Sequence, residues 1–322
     1  MRYITPVADI RIRHVTITMN LSIIIVSWNT RNLLARCLSS LYRHFPSSEF
    51  EVFVIDNASK DGSASMVLER FPQVQLIEND ENVGYAKANN QAIHQSSSRY
   101  VLLLNPDTEI KSGAFETLVR YMDEHPQTGA AGAKLLNPDG TLQVSCYPAP
   151  TLSRELWRLF HLDRIKPYGI YEMRGWDLNK PRQVDCLQGA CLIIRREVLD
   201  QVGLLDEDYF IYSEEVDLCY RMKKAGWQLY WVPSAKVVHF GGQSTNQVAE
   251  DMFLQLYRGK ILFFRKHYGL LAAYIYKLVL LVSTLARLAL TPLARLEKQP
   301  RRRQHLILAR QYHRLLTALP GM

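Results

Sequence analysis

The chain has 322 residues, more than one average domain, and its 48% hydrophobic and 22% charged residues are ordinary for a globular protein. This composition excludes collagen-like, low-complexity and wholly disordered proteins. The net charge of +8 is uneven, because residues 251–322 hold thirteen Lys and Arg against two acidic residues, whereas residues 1–250 carry a slight acidic excess. The basic charge belongs to the C-terminal region, so we expect no nucleic-acid partner.

Strands and helices alternate through the first part of the chain. Apolar runs predict strands at 21–26, 51–55, 74–77 and 100–104, and helical periodicity predicts helices after Thr30 and at 64–70, 85–95 and 113–124. In the first helix, apolar residues recur at three- and four-residue spacing, which indicates one buried face. This alternation predicts an α/β fold in which helices flank a mostly parallel sheet.

The pattern changes from about residue 141. A stretch rich in proline and aromatic residues reaches to about residue 181, and we interpret it as a lid or an acceptor wall. Beyond it, the predicted elements are a strand at 190–194, helices at 195–201 and 214–225, and strands at 228–232 and 236–240.

The cysteines and the N-terminal residues indicate the cellular compartment in which the protein is expected. The five cysteines form no CxxC pair and have no metal-ligand spacing, which predicts free thiols in a reduced environment. Residues 1–20 are broken by charges and lack the apolar core of a secretory signal. We therefore expect a cytoplasmic protein in which residues 1–19 form an N-terminal extension.

Polar residues follow several predicted strands, where ligands bind in sheets of this kind. Asp56 follows the second strand, Asp107 follows the fourth, and Glu214 and Glu215 begin a later helix. This spacing suits a nucleotide-diphosphate site, in which Asp56 would accept a hydrogen bond from a base or a ribose and Asp107 would hold a divalent cation.

Each of these residues also has a structural explanation. Asp56 would cap a turn, and Asp107 belongs to an Asn-Pro-Asp string whose second copy, ending at Asp139, reads as a plain reverse turn. Glu214 and Glu215 would complement a helix dipole. Against that, six acidic residues fall within 206–217, and a cation or a proton transfer would account for the cluster. His239 ends the last strand, where it would ligate the same metal or be purely structural.

The motifs are Ser27-Trp28-Asn29, Asp56-Asn57-Ala58-Ser59-Lys60-Asp61-Gly62-Ser63, Asn82-Val83-Gly84-Tyr85-Ala86, Asn105-Pro106-Asp107, Gly203-Leu204-Leu205-Asp206-Glu207, Tyr212-Ser213-Glu214-Glu215-Val216-Asp217-Leu218-Cys219 and His239-Phe240-Gly241-Gly242. In this order, over about residues 21–245, the series resembles the family 2 glycosyltransferases, and within them the rhamnosyltransferase branch. The resemblance implies the nucleotide-diphospho-sugar transferase fold of GT-A type, a divalent metal, Mg²⁺ or Mn²⁺, and inversion at the sugar carbon.

The resemblance also implies roles for single residues. Glu215 matches the catalytic base, with Glu214 beside it, Asp107 the metal-binding acid, and His239 a residue beside the metal or the diphosphate. It assigns donor binding to Ser27, Asn29, Asp56, Asn82, Gly84, Lys87 and Asn105, with Asp56 on a pyrimidine base. Two positions depart from the family pattern: Asn105 replaces the first acid of Asp-x-Asp, and Glu215 stands where the usual pair ends in Asp.

The function implied by the resemblance is transfer of a sugar, with rhamnose as a candidate, from a UDP- or dTDP-linked donor to a saccharide or polyprenyl-linked acceptor in cell-surface polysaccharide synthesis. Residues 20–245 would be the catalytic domain and residues 246–322 a helical, basic region. Two alternatives stay open. One is a sugar-nucleotide-forming nucleotidyltransferase, although the loop at residues 27–30 lacks the expected glycine, and the other is a non-catalytic membrane-surface scaffold.

The C-terminal region carries an apolar stretch at residues 270–290, interrupted by Lys277 and Arg287. It is long enough to span a membrane, but a charge inside the bilayer is costly. We expect instead a helix lying on the anionic inner face of the cytoplasmic membrane, with both charges at the headgroups. Its lipid-facing residues would be Leu270, Leu271, Leu278, Leu281, Val282 and Leu285. The alternative is a helical pair packed on the core of the protein.

Overall fold

The computed structural model describes residues 21–45, 50–171, 173–243, 245–292 and 298–322, except the side chains of Arg174, Thr245 and Asn246. The predicted N-terminal extension lies outside the described residues.

The first part of the chain alternates strands and helices as predicted. Its elements are β1 (Leu21–Ser27), α1 (Arg31–His44), β2 (Phe50–Asp56), α2 (Ser63–Arg70), β3 (Gln75–Glu78), α3 (Tyr85–Gln95), β4 (Tyr100–Leu104), β5 (Thr108–Ile110), α4 (Ala114–Glu124) and β6 (Thr128–Leu136). All residues of β1 and β4 are buried, as their continuous apolar sequences predict for strands covered on both faces. The prediction missed β5, which is short, and β6, whose alanines and glycines lack the β-branched pattern of a strand.

The second part begins with short elements and ends in long helices. The elements are β7 (Cys146–Tyr147), α5 (Leu152–Leu159), β8 (Arg182–Gln183), β9 (Cys186–Leu187), β10 (Cys191–Arg195), α6 (Arg196–Val202), α7 (Glu214–Lys224), β11 (Gln228–His239), α8 (Ala249–Leu290) and α9 (Arg301–Ala318). The two strands predicted within 228–240 are one strand, β11, which shifts register between Val232 and Lys236. Pro233 lies in that interval and lacks the N–H of a regular ladder.

The described strands form one main sheet in the order β3-β2-β1-β4-β10-β6-β11-β5, with β8 also paired to β11. Strand β1 is parallel to β2 and β4, β3 to β2, and β6 to β11, whereas β10 runs antiparallel between β4 and β6. One face packs against α1, α2 and α4, and the other against α3, α6 and α7. The predicted α/β architecture of a sheet flanked by helices is confirmed. The sheet is mixed rather than mostly parallel, because β10, β5 and β8 pair antiparallel with their neighbours.

A third apolar cluster joins the C-terminal helices to the rest of the protein. It unites Leu159 of α5 with Tyr257, Phe264 and Tyr276 of α8 and Leu315 of α9. Helix α8 is not one straight rod, because Gly269 has φ 87° and ψ 175°, outside the helical region. The segment before Gly269 contacts α7 as well as α5 and α9, and the segment after it packs on α5 and α9.

Ion pairs attach the first segment of α8 to the α/β domain. His267 Nε2 donates to Asp217 Oδ1 of α7 at 2.6 Å, and Lys266 pairs with Asp206 and Asp208. Burial alone would raise the pKa of Asp217, but the hydrogen bond from His267, with a neighbouring arginine, holds it below its usual value. The predicted domain boundary near residue 246 therefore marks a change in amino-acid composition. Helix α8, which follows it, is bound to the α/β domain by these ion pairs.

These contacts correct the interpretation of the acidic cluster at residues 206–217. Asp206, Asp208 and Asp217 pair with cations, and Glu207 accepts a hydrogen bond from Asn90 at 2.9 Å. The cluster as a whole therefore needs no metal, because most of its charge is balanced within the protein. Of the six acidic residues, only Glu214 and Glu215 at the start of α7 are left as candidates for a proton transfer or for metal binding.

The second segment of α8 has one buried and one exposed apolar face. The exposed residues, which we call the apolar face, are Leu270, Leu271, Tyr274, Leu278, Val282 and Leu285, with 48–74% of each exposed. Of the six residues expected to meet lipid, five are exposed, and Leu281 is partly buried in the third cluster. The charges also differ from the expectation: Lys277 donates to the Met322 carbonyl at 2.6 Å and Arg287 to that of Leu159, so both are partnered within the protein.

Candidate active site

A cavity of about 830 Å³ opens at the carboxyl ends of the parallel strands. The residues after β1, β2 and β4 and the end of β11 line one side, and the loop before α3 and the start of α7 line the other. The first turns of α8 and one residue of α9 complete the wall. This is the edge at which sheets of this topology bind ligands.

Asp107 and His239 meet in this cavity. Both are buried, and His239 Nε2 lies 3.3 Å from Asp107 Oδ1. The backbone fixes the pair, because Phe240 N–H donates to the Asp107 carbonyl at 2.9 Å. His239 Nδ1 donates to Gln143 Oε1 at 2.6 Å, which leaves the lone pair of Nε2 pointing toward Asp107.

This pair fits a divalent cation. A carboxylate oxygen suits Mn²⁺ or Mg²⁺, and an imidazole nitrogen oriented by a second hydrogen bond suits a transition metal such as Mn²⁺ better than Mg²⁺. Among the residues that the structure describes, no group of three or more His, Cys, Asp or Glu could hold a metal. Diphosphate and water oxygens would therefore complete the coordination, as is common for Mg²⁺. Asn105, at the position of the missing acid, instead directs Nδ2 to His239 Nε2 at 3.3 Å.

Glu214 and Glu215 begin α7 after two strained residues. Tyr212 and Ser213 have φ values of 68° and 73°, a left-handed conformation uncommon for residues other than glycine. Ser213 occupies the N-cap position of α7, but its side chain makes no capping hydrogen bond. Gly259 of α8 allows this close turn, because a Cβ there would lie 2.7 Å from the Tyr212 carbonyl oxygen. The C-terminal region thus supports the backbone that presents both glutamates.

Each of the two carboxyl groups has one buried oxygen. Oε2 of each is buried and has no hydrogen-bond partner in the described part of the chain. Burial raises the pKa of both groups, and the charge of Glu215 raises that of Glu214 further. Both carboxyl groups therefore hold a proton to a higher pH than an ordinary glutamate does, and they titrate as a pair. Burial and then these two carboxylates also raise the pKa of Tyr85, whose hydroxyl lies 3.4 Å from Asn105 Oδ1.

The predicted donor-binding residues fall into two groups. Asn82, Gly84 and Asn105 line the cavity. Gly84 has φ 88°, and a Cβ on it would lie 2.6 Å from the Phe210 carbonyl oxygen, so only glycine fits this close approach. That contact holds the acidic segment before α7 against the start of α3.

The other four, Ser27, Asn29, Asp56 and Lys87, do not line the cavity. Lys87 is exposed, and the Ser27 hydroxyl lies 3.0 Å from that of Thr30. Asn29, with φ 51°, contacts the turn after β2, where its Oδ1 accepts from the Lys60 N–H at 2.7 Å.

The two carboxylate oxygens of Asp56 differ in their hydrogen bonding. Its Oδ2 accepts from the Ser59 N–H at 2.9 Å, so the turn-capping interpretation holds for that atom. Its Oδ1 is buried and unpaired within the described residues. The assignment of Asp56 to a base contact stays a prediction.

Several cavity residues were not assigned from the sequence. Trp28 and Asn57 directly follow β1 and β2, so their position after a strand was the available signal. Gln255 and Arg258 of α8 and Arg314 of α9 also line the cavity. They were missed because the C-terminal region was treated as separate from the site.

Known proteins resemble this chain in sequence. Glycosyl transferase family 2 matches residues 22–203. The N-acetylglucosaminyl-diphospho-decaprenol L-rhamnosyltransferase of Mycobacterium tuberculosis is 31% identical over 252 residues, which cover 70% of this chain and 78% of that protein. The rhamnosyltransferase WbbL of Escherichia coli is 24% identical over 68% of this chain and 82% of that protein.

Solved structures share the fold. The mannosyltransferase PcManGT of Pyrobaculum calidifontis, in complex with GDP-Man and Mn²⁺, has a TM-score of 0.56 at 18% identity, over 94% of this chain and 84% of that one. GalNAc-T7 with UDP, GalNAc and Mn²⁺ has a TM-score of 0.52 at 17% identity, over 68% of this chain and 43% of that one, so the alignment covers less than half of GalNAc-T7.

The chain belongs to glycosyl transferase family 2, in the branch that resembles rhamnosyltransferases. It is a glycosyltransferase, and the predicted GT-A fold with C-terminal helices is confirmed.

Proposed function

We propose that this glycosyltransferase transfers a sugar, with inversion and with a divalent metal, from a pyrimidine nucleotide-diphospho-sugar to a lipid-linked saccharide in cell-surface polysaccharide synthesis. One observation carries the proposal: a single cavity holds both the Asp107–His239 pair and the Glu214–Glu215 pair. The first suits a cation on a diphosphate and the second a proton transfer, which are the two requirements of direct glycosyl transfer.

In this reaction Glu215 would accept a proton, and Asp107 and His239 would hold the metal. The acceptor hydroxyl attacks the anomeric carbon from the face opposite the diphosphate, the new O–C bond forms as the C–O bond to the diphosphate breaks, and Glu215 takes the hydroxyl proton. Asp107 and His239 would hold Mg²⁺ or Mn²⁺, which supplies positive charge to the leaving diphosphate. Two structures that share the fold contain Mn²⁺ together with a nucleotide or nucleotide sugar, which supports this assignment.

For the donor we propose UDP- or dTDP-linked rhamnose. The support is the similarity to two proteins named as rhamnosyltransferases and the unpaired Asp56 Oδ1 near the end of β2, which would accept from a base N–H. A screen of UDP-, dTDP- and GDP-sugars, with mass detection of transferred sugar, tests the assignment. We expect turnover with a pyrimidine donor that stops with EDTA.

Other results of the screen would contradict the proposal. Transfer only from a GDP-sugar would exclude a pyrimidine donor. Synthesis of a nucleotide sugar from sugar phosphate and nucleoside triphosphate would indicate a nucleotidyltransferase. No turnover of any donor, in a protein that still binds nucleotide, would indicate a scaffold.

For the location we propose the anionic, cytoplasmic surface of a membrane. Among the described helices, α8 is the one long and apolar enough to cross a bilayer, with a mean hydropathy of 1.8 in its best window and 33% of that window buried. Its break at Gly269 and its buried face favour lying on the membrane rather than crossing it. The apolar face would enter the acyl boundary, and Arg301, Arg302 and Arg303, all exposed on α9, would each contribute about 1 kcal/mol on anionic lipid.

Vesicle sedimentation tests this location. We expect the full chain to co-sediment with anionic vesicles at low salt and to be released by high salt or detergent. The double variant Leu271→Glu, Leu278→Glu places two charges on the apolar face and should stay in the supernatant. Leu68→Glu, at a 60% exposed position on α2, is the control and should sediment like the unmodified chain. A soluble full chain would refute docking, and resistance to carbonate extraction would indicate a spanning helix.

A further inference from the structure

A second cavity, of about 280 Å³, adjoins the first. Its walls are α5, the segment at residues 147–150, the start of α7 and the first segment of α8. Gln188, Tyr212 and Glu215 line both cavities. The residue proposed as the base therefore borders two separate spaces, and a donor in the larger one leaves the smaller one for the acceptor.

The second cavity is basic. Arg154 and Arg158, one turn apart on α5, and Lys260 of α8 line it, together with the buried Glu155. Glu155 accepts from Lys260 at 2.6 Å and lies 3.4 Å from Arg158, so one carboxylate faces two cations. Positive charge is therefore in excess on this wall.

Arg154 adds a polar group without a partner. Its Nη1 donates to the Ala149 carbonyl at 2.7 Å, but its Nε is buried and unpaired within the described residues. The nearest carboxylate, Asp185, is 3.9 Å away and already binds Lys223. A buried N–H group without a partner is costly, and a bound anion would offset that cost.

The two cavities differ in how they would bind a diphosphate. Asp107, Glu214 and Glu215 line the larger one, so a diphosphate there needs a metal to offset the carboxylates. The smaller one offers guanidinium and ammonium groups directly, and these form strong charge-assisted hydrogen bonds to phosphate oxygens. It therefore suits a diphosphate bound without a metal.

An apolar surface borders the basic cavity. Tyr268 is 43% exposed and comes two residues before the apolar face, and its hydroxyl donates to the carbonyl of Pro150, which lines the cavity, at 3.1 Å. The protein thus presents an apolar surface, then three cations, then a carboxylate. A prenyl-diphospho-sugar has the matching order of prenyl chain, diphosphate and sugar hydroxyl.

We propose that this second cavity binds the diphosphate of a prenyl-diphosphate-linked sugar through Arg154, Arg158 and Lys260, and so brings the acceptor sugar to Glu215. The inference rests on the proposed function and specifies how its acceptor is recognised. It implies that the chain selects acceptors by their diphosphate as well as by their sugar.

Binding of a short acceptor to the full chain tests the proposal without requiring turnover. The probe is N-acetylglucosaminyl diphosphate on a short prenyl alcohol, titrated by calorimetry in EDTA without donor. The comparison ligand is the same prenyl glycoside without phosphate. We expect the diphosphate ligand to bind at least about tenfold more tightly, and Arg154→Gln and Arg158→Gln each to remove most of that advantage.

Matched variants separate recognition from folding. Arg158→Lys keeps the charge and should recover part of the advantage. Arg164→Gln removes an exposed arginine that does not line the cavity, and it should leave the advantage unchanged. An equal affinity for both ligands in the unmodified chain, or an unchanged advantage in both Gln variants, would overturn the proposal. Inorganic pyrophosphate binding as tightly as the prenyl ligand would assign the cavity to a free anion instead.

The same ligands distinguish this inference from the proposed function. Without any sugar transfer by the unmodified chain, the proposed function fails, while arginine-dependent binding of the diphosphate ligand still supports the cavity as its site. With transfer to both acceptors at the same KM, the function stands and diphosphate recognition is refuted.

Discussion

Replacing Glu215 by Gln is expected to lower kcat by about 100-fold or more while donor binding persists. The amide keeps the shape of the side chain and its hydrogen-bonding capacity, but it cannot accept the proton of the acceptor hydroxyl. Steady-state transfer assays give kcat, and nucleotide titration gives donor affinity. Glu214→Gln should reduce kcat less, because the resemblance assigns the role of base to Glu215. The reverse ranking would assign the base to Glu214.

The raised pKa values add a pH dependence to this prediction. Transfer needs Glu215 ionised, so kcat/KM should fall as pH falls through a value above that of an ordinary glutamate, about 4.3. Stability should behave in the opposite direction. The folded protein holds these protons more tightly than the unfolded chain, so stability decreases as pH rises from the ordinary value through the raised ones. Glu214→Gln should therefore lose less stability across that range, which melting curves would measure.

Replacing Asp107 by Ala is expected to abolish metal-stimulated transfer, because His239 would be the one protein ligand left of the proposed pair. Activity against Mn²⁺ and Mg²⁺ concentration measures the loss, which should be about 100-fold or more at saturating donor.

Asp139→Ala is the matched control for this variant. Asp139 belongs to the other Asn-Pro-Asp string, where its exposed carboxylate accepts from the Thr141 N–H at 2.9 Å and from the Thr141 hydroxyl at 2.6 Å. The predicted reverse turn is confirmed there, and transfer should be unchanged. An equal loss of transfer activity in both variants would contradict this prediction. The position of Asp107 after a buried strand would then not distinguish the two Asn-Pro-Asp strings in function.

The sequence predicted those parts of the site that depend on local pattern. Asp107 and His239 end apolar strands, and the topology brings such ends to one edge, so their meeting followed from strand prediction alone. Strand β6 was missed because small residues give no apolar period, and its place beside β10 is set by packing with Leu187 and Trp227, where a Cβ on Gly132 or Gly129 would clash.

Contacts between distant residues could not be predicted in this way. The acidic cluster suggested a cation because its partners, Lys266 and His267, lie 50 to 60 residues further along the chain. The basic cavity was missed for the same reason, since Lys260 is 105 residues from Glu155. The sequence analysis treated these cationic residues as part of a separate C-terminal region. The tertiary structure shows that they contact the α/β domain.

The break at Gly269 has a geometric consequence for work at a lipid surface. An unbroken helix of 42 residues would extend about 60 Å and carry its far end away from the domain. Because the backbone turns at residue 269, Arg287 instead reaches Leu159 of α5, beside the basic cavity. With the apolar face on a bilayer, as proposed, this one residue would set the height of the proposed base, Glu215, above the lipid. Glycine alone adopts φ 87° with ψ 175° without strain, so that height would be encoded at a position outside the lining of both cavities.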